Sequence, residues 1–459
     1  LGQKIRIRAT RAGRRDPLDR LSAQDVRILK SEAGQIRGHT CKVMVLEEPR
    51  QRALPTLEEV RASIAARLDA APRLRQRLAY TPLHVANPVW VDDAEFDINR
   101  HVTAVPTAGT VSRDRLKDVV GELMTQRLDH HHPLWQLNVI ERLEDGSMAL
   151  IWRIHHCMAD GTTCVRLGSE VLWSDSPESS PSETLQWWPQ PAPSSMSLFV
   201  SGLADRAQQR PHHHASVHEL RSLRDSTTIA RRELARTAEI TELAARPGQA
   251  RQVAFATAPV ADCRRAAKKI DEAITVNDVV LSLVAGGVRE WLRRRHDPVE
   301  GIRAKVPVSL HHPGEGDGVA NRDSYFFVDL PVAEPDPVKR LGAINRETHE
   351  RKVDHDAETL YRLGAHPFFA HWAMSPRVFT FNVSNVRGPA GDVYVLGARV
   401  REMYSLAEIA PRHALRVAVL SAAGTLFFGL CADRDGVRDL DVFAEGIERS
   451  VDELLAAAG

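Results

Sequence analysis

No stretch of this 459-residue chain is both long and apolar enough to read as a membrane span: the longest charge-free apolar run, Val417 to Ala432, contains Ser421, Gly424 and Thr425 and falls short of the ~18 residues required. It reads instead as a hairpin, with strands Leu415 to Leu420 and Thr425 to Cys431 around a turn at Ser421 to Gly424. Charge of one sign is also lacking. Lys plus Arg total 61 against 60 Asp plus Glu, which gives no overall electrostatic case for nucleic acid. The five cysteines, Cys41, Cys157, Cys164, Cys263 and Cys431, form no C-x-x-C pair and are odd in number, so a reducing cytoplasm is the expected setting. P-loop, dinucleotide fingerprint and internal repeat are all missing. His130-His131-His132 and His212-His213-His214 invite a metal reading, but adjacent histidines on regular structure cannot all face one ion, and neither tract has H-E-x-x-H or Cys/His spacing. No metal is expected.

The tract Ile154-His155-His156-Cys157-Met158-Ala159-Asp160-Gly161 is the most informative. Met148, Leu150, Trp152 and Ile154 recur at period two and predict a strand that ends at the histidines. An imidazole at a strand end can meet a pocket, and with an ordinary pKa near ~6.5 it can take a proton at physiological pH. Gly161 is expected to let the backbone turn tightly into a following helix.

Length and a 43% hydrophobic content suit two cores. A Ser/Pro-rich stretch between Ser174 and Ser195 marks the linker, and Leu198 to Leu243, rich in Arg, Ala, Glu and Leu, suggests a helical connection. The predicted division is a basic arm over 1–17, an N-terminal domain over 18–173, a linker over 174–250 and a C-terminal domain over 251–459. The arm carries Lys4, Arg6, Arg8, Arg11, Arg14 and Arg15, and reads as a solvated leader, with anionic lipid as its functional alternative. Without an apolar h-region it is not a secretory signal. Thr56-Leu57-Glu58-Glu59 is a capping box ahead of the stripe Leu57, Val60, Ile64 and Leu68; Leu116, Val119, Val120, Leu123, Met124 and Leu128 mark a second helix. Thr275-x-x-Asp278 caps a third, buried through Val279, Val280, Leu283, Val284, Val288 and Trp291, while Gln252 to Ala256 reads as a strand. Strands interleaved with amphipathic helices predict an α/β or α+β fold with mixed sheets.

The H-H-x-x-x-D-G spacing matches acyl-CoA-dependent transferases of chloramphenicol acetyltransferase and condensation-domain architecture. The ordered set around it narrows the resemblance: Leu21-Ser22-Ala23-Gln24-Asp25, Pro133-Leu134-Trp135, Thr275-Val276-Asn277-Asp278-Val279-Val280, Lys305-Val306-Pro307-Val308-Ser309, Asn321-Arg322 through Phe326-Phe327-Val328, and Asn382-Val383-Ser384-Asn385-Val386-Arg387-Gly388-Pro389. From about Leu18 onward the chain resembles the bacterial wax ester synthase/diacylglycerol acyltransferase family. That resemblance implies two similar sandwich domains with a reaction tunnel between them. It implies transfer of a long-chain acyl group from acyl-CoA, a substrate rather than a cofactor, to diacylglycerol or a fatty alcohol. It further implies a cytoplasmic enzyme that contacts membrane or lipid droplet peripherally.

By the same resemblance His156 is the general base, relaying the acceptor proton to the departing thiolate. His155 supports it, and Asp160 is a structural acid with an arginine partner. Asn277 is the family-based oxyanion donor, with Ser384 or Asn385 as alternatives, although Asn277 fits a first helical turn equally well. Pro133, Leu134 and Trp135 either shape the acyl channel or form a packing corner, and the polar and glycine content of Asn382 to Pro389 reads as a structural turn, with direct substrate contact through Ser384 and Asn385 as the alternative. Cys157 is expected to be a small core residue rather than a nucleophile. Two other functions fit less well: a condensation-type or polyketide-associated transferase with a carrier-protein donor, and a lipid-binding scaffold without turnover.

Overall fold

The computed structural model describes residues 18–32, 34–49, 52–178, 187–208, 232–233, 236–238, 242–298, 300–309, 323–354, 356–363 and 367–459. The basic arm and His212 to His214 lie outside the described residues, as do most of the expected helical connection and Asn321-Arg322.

Fourteen strands are described: β1 (His39–Leu46), β2 (Gln76–Ala79), β3 (Val89–Asp92), β4 (Val102–Ala104), β5 (Trp135–Ile140), β6 (Met148–His155), β7 (Arg251–Pro259), β8 (Arg303–Ser309), β9 (Asp323–Asp329), β10 (Phe381–Arg387), β11 (Tyr394–Val395), β12 (Ala398–Ala407), β13 (Leu415–Ala422) and β14 (Thr425–Asp433). They form two six-stranded mixed sheets, ordered β11-β12-β1-β6-β5-β4 and β7-β14-β13-β10-β8-β9, and a small β2-β3 pair. The architecture is therefore the mixed α/β pair of sheet-rich units that the sequence predicts.

Every residue of β6 is buried. The strand lies between β1 and β5, so the face carrying Arg153 and His155 is as covered as the one carrying Leu150 and Trp152. The predicted caps form as well. Thr56 and Glu59 close a capping box on the Leu57–Arg67 helix, and Thr275 and Asp278 do so on the Val276–Arg295 helix. The 415–433 hairpin turns at Ala423-Gly424, both with positive φ. All five cysteines are buried free thiols.

The expected division by chain order does not describe the first sheet. Strands β11 and β12 come from the C-terminal half, and β12 pairs antiparallel with β1 from Thr40↔Ala407 onward. Alternation along a strand shows which residues are buried but not which distant strand supplies its edge. The two sheets then meet where β14 passes under β12: a Cβ on Gly429 would lie 2.1 Å from the Ser405 carbonyl oxygen. Buried Arg251 of β7 adds polar ties across the seam, to the Glu408 carboxylate at 2.9 Å and the Gln35 carbonyl at 2.6 Å.

The Asn382 to Pro389 segment is also corrected. It is strand β10 as far as Arg387, parallel to both β13 and β8. Its polar Asn382 and Ser384 are half-buried positions of a strand rather than parts of a turn, and only Gly388-Pro389 leave the ladder.

Candidate active site

β6 carries the histidine tract to the junction of the two sheets. The His155 N–H donates to the Leu134 carbonyl at 2.9 Å, and the His156 N–H to the Gly38 carbonyl at 2.8 Å. Gly38 has φ +67, and a Cβ there would lie 2.7 Å from His155 Nε2, so only glycine fits this approach. After a turn at 156–158, Asp160 caps the Gly161–Val171 helix, its carboxylate accepting the Thr163 N–H at 2.6 Å. Gly161 is not among the residues of positive φ. Its smallness serves a different end: a Cβ would lie 2.7 Å from Val386 Cγ2 of β10, in the second sheet.

The two histidines have different surroundings. His155 is wholly buried, and its Nδ1 accepts the Cys157 N–H at 3.1 Å, which puts the proton on Nε2, 3.4 Å from Glu32 Oε2. His130 Nε2 reaches the same oxygen at 2.6 Å. Burial raises the Glu32 carboxyl, but the hydrogen bonds from both histidines outweigh it and hold it at about 2. The donor atoms of Glu32, His130 and His155 lie within 4.8 Å of one another, a metal-compatible grouping. Spacing could not reveal it, because three separate segments contribute. His132 turns away to Asp93 at 2.9 Å. His155 is thus packed against the turn and Glu32.

His156 is half-buried. Its Nδ1 is buried without a hydrogen-bond partner among the described residues. Burial, reinforced by the Arg416 cation, lowers the imidazole from its usual 6.5 to about 4. Cys157 is buried 2.9 Å from His155 Nδ1, and its burial pushes the thiol up, so it is no thiolate nucleophile.

The other predicted residues are spread about this centre. Pro133, Leu134 and Trp135 are core residues. The Trp135 indole donates to the Leu74 carbonyl at 2.8 Å and stacks on His101 at 4.6 Å, while Leu134 holds the His155 backbone. This is the packing corner. Asn277 sits part-buried in the first turn of the 276–295 helix, beside buried Asp278, which accepts from Thr348 Oγ1 at 2.6 Å and Asn345 Nδ2 at 3.0 Å. Ser384 shares the face of β10 that carries Val386 toward Gly161, whereas Asn385 points to the opposite face and is exposed. Sequence reasoning assigned no individual role to Glu32, Lys305, Asn382 or Arg416; Lys305 and Asn382 open two of the family-like segments, whereas no local pattern marks Glu32 or Arg416.

The chain matches the wax ester synthase/diacylglycerol acyltransferase catalytic domain over residues 21–280 and the WS/DGAT C-terminal domain over 319–455. It is 31% identical over 422 residues to a putative diacylglycerol O-acyltransferase of Mycobacterium bovis and to a probable one of Mycobacterium tuberculosis, covering 88% of this chain and 89% of each relative. In fold it is similar to the wax ester synthase/diacylglycerol acyltransferase of Marinobacter aquaeolei VT8, with a TM-score of 0.70 at 22% identity over 96% of this chain and 100% of that one. The starter condensation domain of rhizomide synthetase, in a mutant bound to C8-CoA and Leu-SNAC, has a TM-score of 0.56 at 13% identity over 96% and 94% of the two chains. With the histidine tract at the junction of two mixed sheets and both family domains in order, the chain belongs to the wax ester synthase/diacylglycerol acyltransferase family and is an acyltransferase.

Proposed function

We propose that the protein moves a long-chain acyl group from acyl-CoA to diacylglycerol or a fatty alcohol, with His156 as general base and no other cofactor. What carries this reading is a half-buried imidazole at the end of β6, at the junction of the two sheets, which burial and the Arg416 charge favour in its neutral form. A hydroxyl is a weak nucleophile until its proton is taken. Nε2 accepts that proton as oxygen attacks the thioester carbon, and the imidazolium returns it to the thiolate as the C–S bond breaks. No acyl-enzyme is required, so both substrates are bound together.

The test is acceptor-dependent CoA release from palmitoyl-CoA, with hexadecanol or a diacylglycerol as acceptor and the ester identified. Turnover only with an acyl-loaded carrier protein would replace the donor in this reading. Binding without turnover would replace the reading itself.

A base must be unprotonated to act, and His156 is unprotonated above about 4. Asp160 favours its charged form, while Arg416 and His155 oppose it. The acid limb of kcat/KM is therefore expected near pH 4, well below the ~6.5 of an ordinary histidine. A limb at 6.5 in a pH-rate profile would show an open, solvated base.

Such substrates partition into lipid, and among the described residues no helix is long and apolar enough to cross a membrane. Contact with a lipid surface is therefore peripheral in this reading, through the Ser195–Gln208 helix. Its Leu198 is buried near Val89 and Val91, while Met196, Val200 and Leu203, at helical spacing, are exposed. Exposed Leu83 belongs to the short turn beside this helix, where Gly202 packs against Val85 and Ala86. Leu83→Glu with Val200→Glu is expected to cut flotation with phosphatidylcholine vesicles containing diacylglycerol, without changing turnover of a short-chain soluble acceptor. Unchanged flotation would move the contact elsewhere.

A further inference from the structure

Lys305, Asn382 and Arg416 stand side by side on three adjacent strands. Asn382 of β10 is the register partner of Lys305 on β8 and of Arg416 on β13. Residues opposite one another across a sheet share a face, and neighbouring strands lie about 4.8 Å apart. The face in question is the one turned toward the first sheet. Val386, two same-face steps beyond Asn382, meets Gly161, and Cys431, the register partner of Arg416 on β14, belongs to the first apolar core. The opposite face, carrying Phe381, Ala304 and Val417, is buried in the second core.

Three features suit this row to negative charge. First, neither basic group has a carboxylate at ion-pair distance among the described residues; burial, with the Arg416 charge beside it, brings Lys305 down to about 7, and burial lowers Arg416 as well. Lys305 Nζ lies 3.9 Å from the centre of the Tyr325 ring and 5.3 Å from that of Phe379, and Arg416 Nη1 donates to the Glu408 main-chain oxygen at 3.2 Å. One oxygen of the Glu408 carboxylate is held by Arg251; the other is buried without a partner among the described residues, and the group favours the Arg416 charge without reaching ion-pair distance. Second, Arg416 Nε is a buried donor without a partner among the described residues, a costly arrangement unless a ligand completes it. Third, all three side chains keep accessible surface despite their depth, as His156 does, and the Arg416 charge is felt at His156.

We infer that Arg416 and Asn382 hold the negative oxygen of the tetrahedral intermediate, with the Lys305 amino group as a further donor one strand along the row. The inference rests on acyl transfer at His156. As the acceptor oxygen bonds to the thioester carbon, the carbonyl π pair moves onto oxygen and the hydroxyl proton moves to His156. Collapse restores the carbonyl, breaks the C–S bond and sends the proton to sulfur. The reacting groups are neutral beforehand, so a cation facing them favours the charge that arises on the way across. The Asn382 amide can turn its NH2 group toward that oxygen. The donor set then comes from β10 and β13 rather than from Asn277 or Ser384.

The test compares Arg416→Ala, Arg416→Lys and Asn382→Ala with wild type in the palmitoyl-CoA assay, with thermal melts as a folding control. Arg416→Ala is expected to lose about 10²-fold in kcat with little change in KM for palmitoyl-CoA. Lysine should recover part of the loss, and added guanidinium should raise the rate of Arg416→Ala but not of His156→Ala. Asn382→Ala, whose side-chain oxygen has no partner to lose among the described residues, is expected to fold normally and lose about tenfold in kcat. A rise in KM with kcat intact would show that the row binds a resting anion, such as a CoA phosphate, and overturns the assignment. Wild-type kcat in both alanine variants overturns it while leaving His156 untouched, and if Arg416→Ala does not fold, Asn382→Ala decides alone. Absence of ester formation by wild type overturns the acyl-transfer reading and this assignment with it.

Discussion

Replacing His156 with alanine is expected to lower acyl transfer about 10³-fold, roughly 4 kcal/mol of barrier, while the protein stays folded and still binds palmitoyl-CoA. The fold should tolerate the change because the side chain contributes little to it: Nδ1 has no partner among the described residues, and the tie to Gly38 runs through the main chain. His155→Ala is the contrasting variant. It strips one histidine from a buried carboxylate already shared with His130 and opens space beside Gly38, so its cost appears first in the thermal melt. The pair separates chemistry from support. Retention of more than a tenth of the wild-type rate by His156→Ala would remove the histidine from the proton path. The same assay, run with each acceptor in turn, reads out which ester is made.

What the sequence could reveal follows from how far apart the relevant residues lie along the chain. The end of β6 was readable because Met148 to Ile154 alternate and the polarity breaks at His155, all within a few residues. The capping boxes at Thr56 and Thr275 and the hairpin at Ala423-Gly424 were readable for the same reason. The β1–β12 pairing was not, since its partners are more than 350 residues apart and nothing in either strand names the other. The surroundings of the histidines follow the same rule. Glu32 lies against His155 from the end of a helix more than a hundred residues earlier, and the Arg416 charge acts on His156 from the second sheet. Family resemblance located the motif, but composition read Asn382 to Pro389 as a turn, because Asn, Ser and Gly content alone does not distinguish a turn from a strand with a half-buried polar face.

Gly161→Val is expected to destabilise the protein by about 2 kcal/mol and to slow turnover, with Val386→Ala in the same chain restoring much of both. A glycine at the start of a helix suggests freedom to turn, yet Gly161 is absent from the positive-φ residues, so a β-branched side chain is not barred by the backbone. What bars it is the neighbouring strand: even a bare Cβ would come within 2.7 Å of Val386 Cγ2. To make room, the Gly161–Val171 helix must shift away from β10. That shift pulls the histidine turn away from the face bearing Asn382 and Arg416. Stability and rate should then fall together, and shortening Val386 should bring both back, because one contact sets both. A Gly161→Val variant whose stability recovers with Val386→Ala while its rate does not would show that the glycine also keeps open a substrate path. Recovery of neither would mean that the helix start, not the seam, requires glycine. Thermal midpoints and kcat for the two single variants and the double variant distinguish these outcomes. Full recovery would make the last residue of the H-H-x-x-x-D-G motif a spacer between the two sheets, holding the base opposite the row that receives the charge.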